Sequence, residues 1–121
     1  MATVSHTDSI LNSTKLALGI VESYPYFDPQ ITMCINSVFS TLYQLGIGPE
    51  NGFSIEDETT TWNEYLEGNK LLNFVISFMH LSVKLMFDPP TSSFALQAMK
   101  DQIEEMKWRI NVMVDPEKRG A

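Results

Sequence analysis

The sequence predicts an all-α fold: a small bundle of about four to five helices with a long inter-helix loop and a C-terminal arm. Three observations carry this prediction. Apolar residues recur at alternating spacings of three and four in separate stretches, the signature of a buried helix face. Proline, glycine and Ser/Thr/Asp stand between these stretches where helix starts and stops need them. Residues 70–87 are apolar around more than half of a helix circumference, as the central helix of a bundle would be. With 121 residues and 44% hydrophobic side chains, the chain reads as one domain over 1–121, with residues 1–7 flexible and 111–121 as the arm. A domain of this size removes about two-thirds of its unfolded surface from water, so it needs no metal or disulfide to fold.

The first helix is expected to start near Thr7 or Asp8, either of which can cap it, and to run to about Leu18 with Gly19 as the stop. Its inner side would carry Ile10, Leu11, Thr14, Ala17 and Leu18. An aromatic connector, Tyr24-Pro25-Tyr26-Phe27, leads to Asp28 as cap and Pro29 at the first helical position. The second helix has a seam of Ile31, Ile35, Val38, Leu42 and Leu45, closed by Gly46. Its other side (Thr32, Asn36, Ser37, Ser40, Thr41, Gln44) is polar but uncharged, which suits either plain solvent or a neighbouring subunit.

Residues 46–61 form a connector long enough to be functional or mobile, with Phe53, Ser54 and Ile55 as a possible extended piece. Thr61 and Glu64 have capping-box spacing and start a helix of one or two turns that ends at Gly68. In residues 70–87 the polar residues Lys70, Asn73, Ser77, His80 and Lys84 form one narrow stripe. The rest is apolar, so this helix is expected to need cover from a second chain as well as from its own bundle. Asp88-Pro89-Pro90 ends it, and Ser92 or Ser93 caps the last helix, whose seam is Leu96, Met99, Ile103, Met106 and Ile110. Lys100 with Glu104 and Glu105 with Arg109 stand one turn apart on its outer side. Val112, Met113 and Val114 then either add a strand to a partner or fray against the domain's own core.

Charge and chemistry narrow the function. The formal net charge is −7, and no basic cluster offsets it, so phosphate-driven nucleic-acid binding is disfavoured. The N-terminus lacks a basic-then-apolar leader pattern, and residues 71–87 are too short and too polar to span a bilayer. Cys34 has no partner and reads as a small buried hydrophobe. His6 and His80 have no nucleophile or orienting group at a useful spacing, and no metal-ligand motif is present. Glu56-Asp57-Glu58 lacks the ligand alternation of a calcium loop and reads as a solvated acidic turn. Gly46-Ile47-Gly48-Pro49 follows a helix and is interrupted by proline, so it is no dinucleotide loop. The seven methionines fit adaptable core filling or a forgiving subunit interface. No catalytic residue, metal or cofactor is therefore assigned.

One likeness covers nearly the whole chain after its first few residues. Ile35-Asn36-Ser37-Val38-Phe39, Leu45-Gly46-Ile47-Gly48-Pro49 and Gly52-Phe53-Ser54-Ile55 carry part of it. The more specific part is Leu85-Met86-Phe87-Asp88-Pro89-Pro90-Thr91-Ser92-Ser93-Phe94, followed by Ala98-Met99-Lys100, Gln102-Ile103, Trp108-Arg109-Ile110-Asn111-Val112 and Val114-Asp115-Pro116. In these segments the sequence resembles the small head–tail connector proteins, or head-completion adaptors, of tailed bacteriophages.

The resemblance implies a non-enzymatic virion protein of the head–tail neck, assembled in the bacterial host cytoplasm without a membrane. It would form a ring, typically a dodecamer, below the portal protein. That ring would extend the DNA channel and dock the next connector or a tail protein, with DNA passing through unbound. Twelve copies at −7 each would carry about −84 in all, a charge that lets DNA slide without sticking. Subunit-interface candidates are Phe74, Phe78, His80, Leu81, Lys84 and Leu85 of the apolar helix. Candidates for contact with portal or a neighbour are Trp108, Arg109, Asn111, Val112, Val114 and Asp115. Glu50, Phe53, Glu56, Asp57 and Glu58 are the lumen or tail-side candidates in the long loop. The alternatives are another phage neck or tail-completion protein, or a small acidic helical regulator that binds a host protein.

Overall fold

A computed structural model describes residues 8–67 and 70–114. It contains five helices: α1 (Ile10–Ala17), α2 (Asp28–Gln44), α3 (Trp62–Leu66), α4 (Leu72–Phe87) and α5 (Ser93–Val114). Among the described residues there is no strand, only an isolated antiparallel bridge between Ser9 and Thr61. The fold is thus the all-α bundle that the periodicity predicts.

The bridge decides where α1 begins. Ile10 N–H donates to Thr60 O at 3.1 Å and Trp62 N–H to Asp8 O at 3.0 Å, which holds Asp8 and Ser9 extended. The cap is consequently Ser9, whose Oγ accepts from Asn12 N–H at 3.1 Å, and not Asp8; Thr7 lies outside the described residues. The buried side of α1 is also rotated from the expected one. It comprises Ile10, Leu11, Ser13, Thr14 and Lys15, while Ala17 is exposed and Leu18 half-buried.

Polar groups on that inner side find partners. The Ser13 Oγ accepts from the Trp62 indole N–H at 2.9 Å, and the Thr14 hydroxyl donates to Ile10 O at 2.8 Å. Lys15 is 0% exposed. Its ammonium donates to Glu22 O at 2.9 Å and Tyr24 O at 2.8 Å, and lies 2.8 Å from Asp28 Oδ1. The chain between α1 and α2 therefore wraps over a buried cation. This contact also explains why Asp28 does not cap α2. Asp28 is the first residue of the helix, Phe27 stands at the cap position without a side-chain bond, and the carboxylate is turned to Lys15.

The glycine stops behave as read. Gly19 (φ 80°) and Gly46 (φ 92°) take the left-handed conformation after α1 and α2. In both cases the next N–H reaches back, Ile20 to Lys15 O and Ile47 to Leu42 O, each at 2.9 Å. The α2 seam buries Ile31, Ile35, Val38 and Leu42, joined by Phe39, with Leu45 half-buried at its end. Thr61 and Glu64 form the expected capping box of α3, whose last residue is Leu66; Gly68, the expected stop, lies outside the described residues.

Helix α4 sits at the centre, in contact with α1, α2 and α5. Val75, Phe78, Met79 and Val83 are buried, Phe74, Ile76, Leu81 and Leu85 half-buried, and Met86 exposed. Three helices of its own bundle cover the face that carries these buried residues. Asp88 ends α4 and pairs with Lys84 at 2.9 Å.

The Ser92 Oγ accepts from Ala95 N–H at 3.0 Å and caps α5. Ile103, Met106 and Ile110 are buried along α5, with Leu96 and Met99 half-buried. Arg109 pairs with Glu105 at 3.4 Å as spaced, whereas Glu104 takes Lys107 at 3.2 Å instead of Lys100. Residues 111–114, assigned to an arm, continue α5, and Val114 packs so closely on Gly46 that a Cβ there would lie 2.9 Å from Val114 Cγ1.

Lys15→Met should cost roughly 2–4 kcal/mol, since it leaves two carbonyls and a carboxylate without their cation. A urea-unfolding midpoint that falls accordingly, beside an exposed Lys100→Met control that stays within about 0.5 kcal/mol of the parent, is the expected result.

Candidate interaction surfaces

The three groups of sequence candidates lie in different environments. Among the α4 residues, Phe78 is 1% exposed and packs in the core. Phe74, Leu81 and Leu85 are half-buried against the same core. His80 packs edge-on to Trp62 at 6.1 Å between ring centres, and its Nε2 is buried without a hydrogen-bond partner. Burial pushes the His80 pKa below its ordinary 6.5. Lys84 is held by Asp88.

The long loop is tied down along most of its length. Asn36 grips Ile55 twice, accepting from its N–H at 2.8 Å and donating to its carbonyl at 3.0 Å. That paired bond removes Asn36 from the polar outer side of α2 and makes it an internal pin. The Tyr43 hydroxyl donates to Glu50 O at 3.0 Å and the Tyr65 hydroxyl to Ile47 O at 3.4 Å. Gly48 (φ 106°) is needed where the loop crosses Tyr65, since a Cβ there would stand 2.9 Å from that ring. Phe53, a loop candidate, turns inward between Phe39 (5.1 Å) and Tyr65 (4.9 Å). Glu50, Glu56, Asp57 and Glu58 remain exposed. Hydrogen bonds from Thr59 to the Asp57 carboxylate hold its pKa below the usual value.

At the far end of α5, Trp108 is 61% exposed, Arg109 is exposed beside Glu105, and Val114 is partly open. Asn111 and Val112 are half-buried, and Asp115 lies outside the described residues. The structure adds residues that the sequence reading passed over. Phe94 is 86% exposed at the start of α5, and Leu16, Val21, Tyr26 and Met33 are exposed on α1, the first connector and α2. A signal for Phe94 existed: like the candidate Trp108, it is a large aromatic that falls off the α5 seam.

Among the described residues, no group of three His, Cys, Asp or Glu side chains is placed to hold a metal ion. No described helix is long and apolar enough to cross a membrane. Cys34 is half-buried, and burial pushes its thiol pKa up, away from nucleophilic thiolate. Most buried polar side chains hold segments of the chain together, while several large apolar ones stand in solvent. Fold and surface thus define a small all-helical module built around contacts. The family model described as phage connector protein matches residues 10–117, a span that takes in all five helices and the long loop, and the chain belongs to that family. No curated protein and no solved structure matches it. As a phage connector protein it is a structural part of the neck between head and tail.

The environment of His80 has a pH consequence. Its folded pKa lies below the ordinary 6.5, so the unfolded chain takes up the proton first as pH falls. Stability should be complete above about pH 6.5 and decline below it. Between about pH 7.5 and 5.5 the melting temperature of the parent should fall more than that of His80→Gln, measured side by side.

Proposed function

We propose that the chain assembles as a ring, with twelve copies as the working stoichiometry, below the portal protein. The ring extends the DNA channel and docks the next connector or a tail protein. It is made in the host cytoplasm, needs no cofactor or membrane, and catalyses nothing. The observation that carries this reading, besides family membership, is the unequal treatment of apolar residues. The core of one copy is closed around α4, yet Phe94, Trp108, Tyr26 and Met33 are left in water. Exposed aromatics and methionines of this kind are what protein interfaces are enriched in.

Two surfaces take the two ends of the ring in this reading. The Trp108–Arg109 end of α5 with Val114 meets the portal or a neighbouring copy. The acidic loop of Glu50, Glu56, Asp57 and Glu58 faces the lumen or the tail side, where like charge keeps DNA from adhering.

Mass spectrometry of purified particles should find the chain in multiple copies, in fixed ratio to the portal protein. Its absence there, with recovery instead in a complex with a host protein, would replace the ring with a regulatory role. Reversing Glu50, Glu56, Asp57 and Glu58 to lysine should slow DNA ejection or trap DNA in the neck; unchanged ejection kinetics would remove the loop from the lumen.

A further inference from the structure

A shallow groove of about 150 Å³ opens between α2, α4 and α5. Phe78, Leu85, Met86 and Ile103 supply its apolar wall, and Ser37 and Thr41 of α2 form its mouth. Resting on the ring reading above, we infer that this groove receives the Phe94 side chain of the adjacent copy, and that this contact is what joins one subunit to the next.

Size is the first argument. An apolar cavity of about 150 Å³ accommodates benzene, and a phenylalanine ring is the same object on a tether. Phe94 is the most exposed large apolar residue described, at 86%. Trp108 is a poorer fit, being larger and flanked by Lys107 and Arg109.

Geometry excludes the chain's own ring as the occupant. Phe94 and Ile103 are nine residues apart on α5, which is about 2.5 turns and roughly 13 Å along the axis. They therefore point to opposite sides of one rigid helix. A knob on one side and a hole on the other cannot satisfy each other within a copy. Between copies they make a head-to-tail contact of two different patches, the kind that closes into rings.

Charge is the third argument. Copies at −7 each repel, so they must meet where charge is lowest. Residues 29–49, which include all of α2 after Asp28, carry no charged side chain, and neither do residues 89–99 around Phe94. The one charge at the groove, Lys107, is already paired with Glu104 at 3.2 Å. Docking a phenyl ring thus strips no unpaired ion of its water. The Ser82 hydroxyl in the groove wall is 9% exposed and has no hydrogen-bond partner, and the face of an incoming ring accepts such a donor weakly.

The test uses particles of the phage that encodes the full chain, complemented with variants. Phe94→Ala should keep the parent's circular dichroism and melting temperature, because the side chain makes little contact within the copy. It should enter particles about tenfold less or worse, the factor that burying one phenyl ring supplies, with Phe94→Leu in between. In a Cys34→Ser background that retains Phe94, Ser37→Cys with Gln97→Cys treated with a short bismaleimide should give a ladder of species beyond the dimer. Wild-type incorporation of Phe94→Ala, or crosslinking that stops at dimers or fails in intact particles, overturns the contact and leaves the ring standing. Absence of the wild-type chain from particles overturns both.

Discussion

Helix α4 is apolar around most of its circumference, and the rest of the molecule is arranged to enclose it. α1, α2 and α5 pack on it directly, and α3 contributes Trp62 against His80. Each of Val75, Phe78, Met79 and Val83 contributes on the order of 1.5–3 kcal/mol by leaving water, which requires neighbours along the face of the helix that they share. A bundle that meets this demand from one chain has no more covering helices to spare. The outward sides of α5, α2 and the first connector are left bare, and the exposed aromatics stand there.

Enclosing α4 would leave the irregular segments loose if apolar packing were the only force. Two buried polar devices prevent this. The Lys15 ammonium gathers two carbonyls and the Asp28 carboxylate, so the turn from α1 to α2 is drawn over a single point. Asn36 does the same for the long loop by bonding both backbone groups of Ile55. Unpaired, each of these groups would be costly inside the protein; paired, each fixes a segment that has no regular hydrogen-bond ladder. The acidic part of the loop is thereby presented at a defined place, with its carboxylates in solvent.

A connector has to satisfy two requirements that conflict in a small protein. It must fold around a core of its own, and as a part of the neck it must keep surface for the parts it joins. Here the division follows the elements. The core-facing seams of α2, α4 and α5 complete the monomer, whereas off-seam residues such as Phe94 and Trp108 stay available. In the proposed ring, high negative charge would keep copies apart except where uncharged faces meet.

Local pattern alone determined the number and order of helices, the glycine stops after α1 and α2, the capping box of α3 and the seams of α2 and α5. These depend on interactions within a few residues, which spacing records directly. The same local view does not say which face of α4 the bundle covers, since that depends on which other helices reach it. It also passed over Lys15 and Asn36, whose partners lie 7 to 19 residues away and belong to loops without periodicity. The identity of the α1 cap followed from a bridge to Thr61, and Asp28 was diverted from capping by a distant lysine. Only the folded chain decides such pairings, because a polar group takes whichever partner the packing of the helices brings within reach.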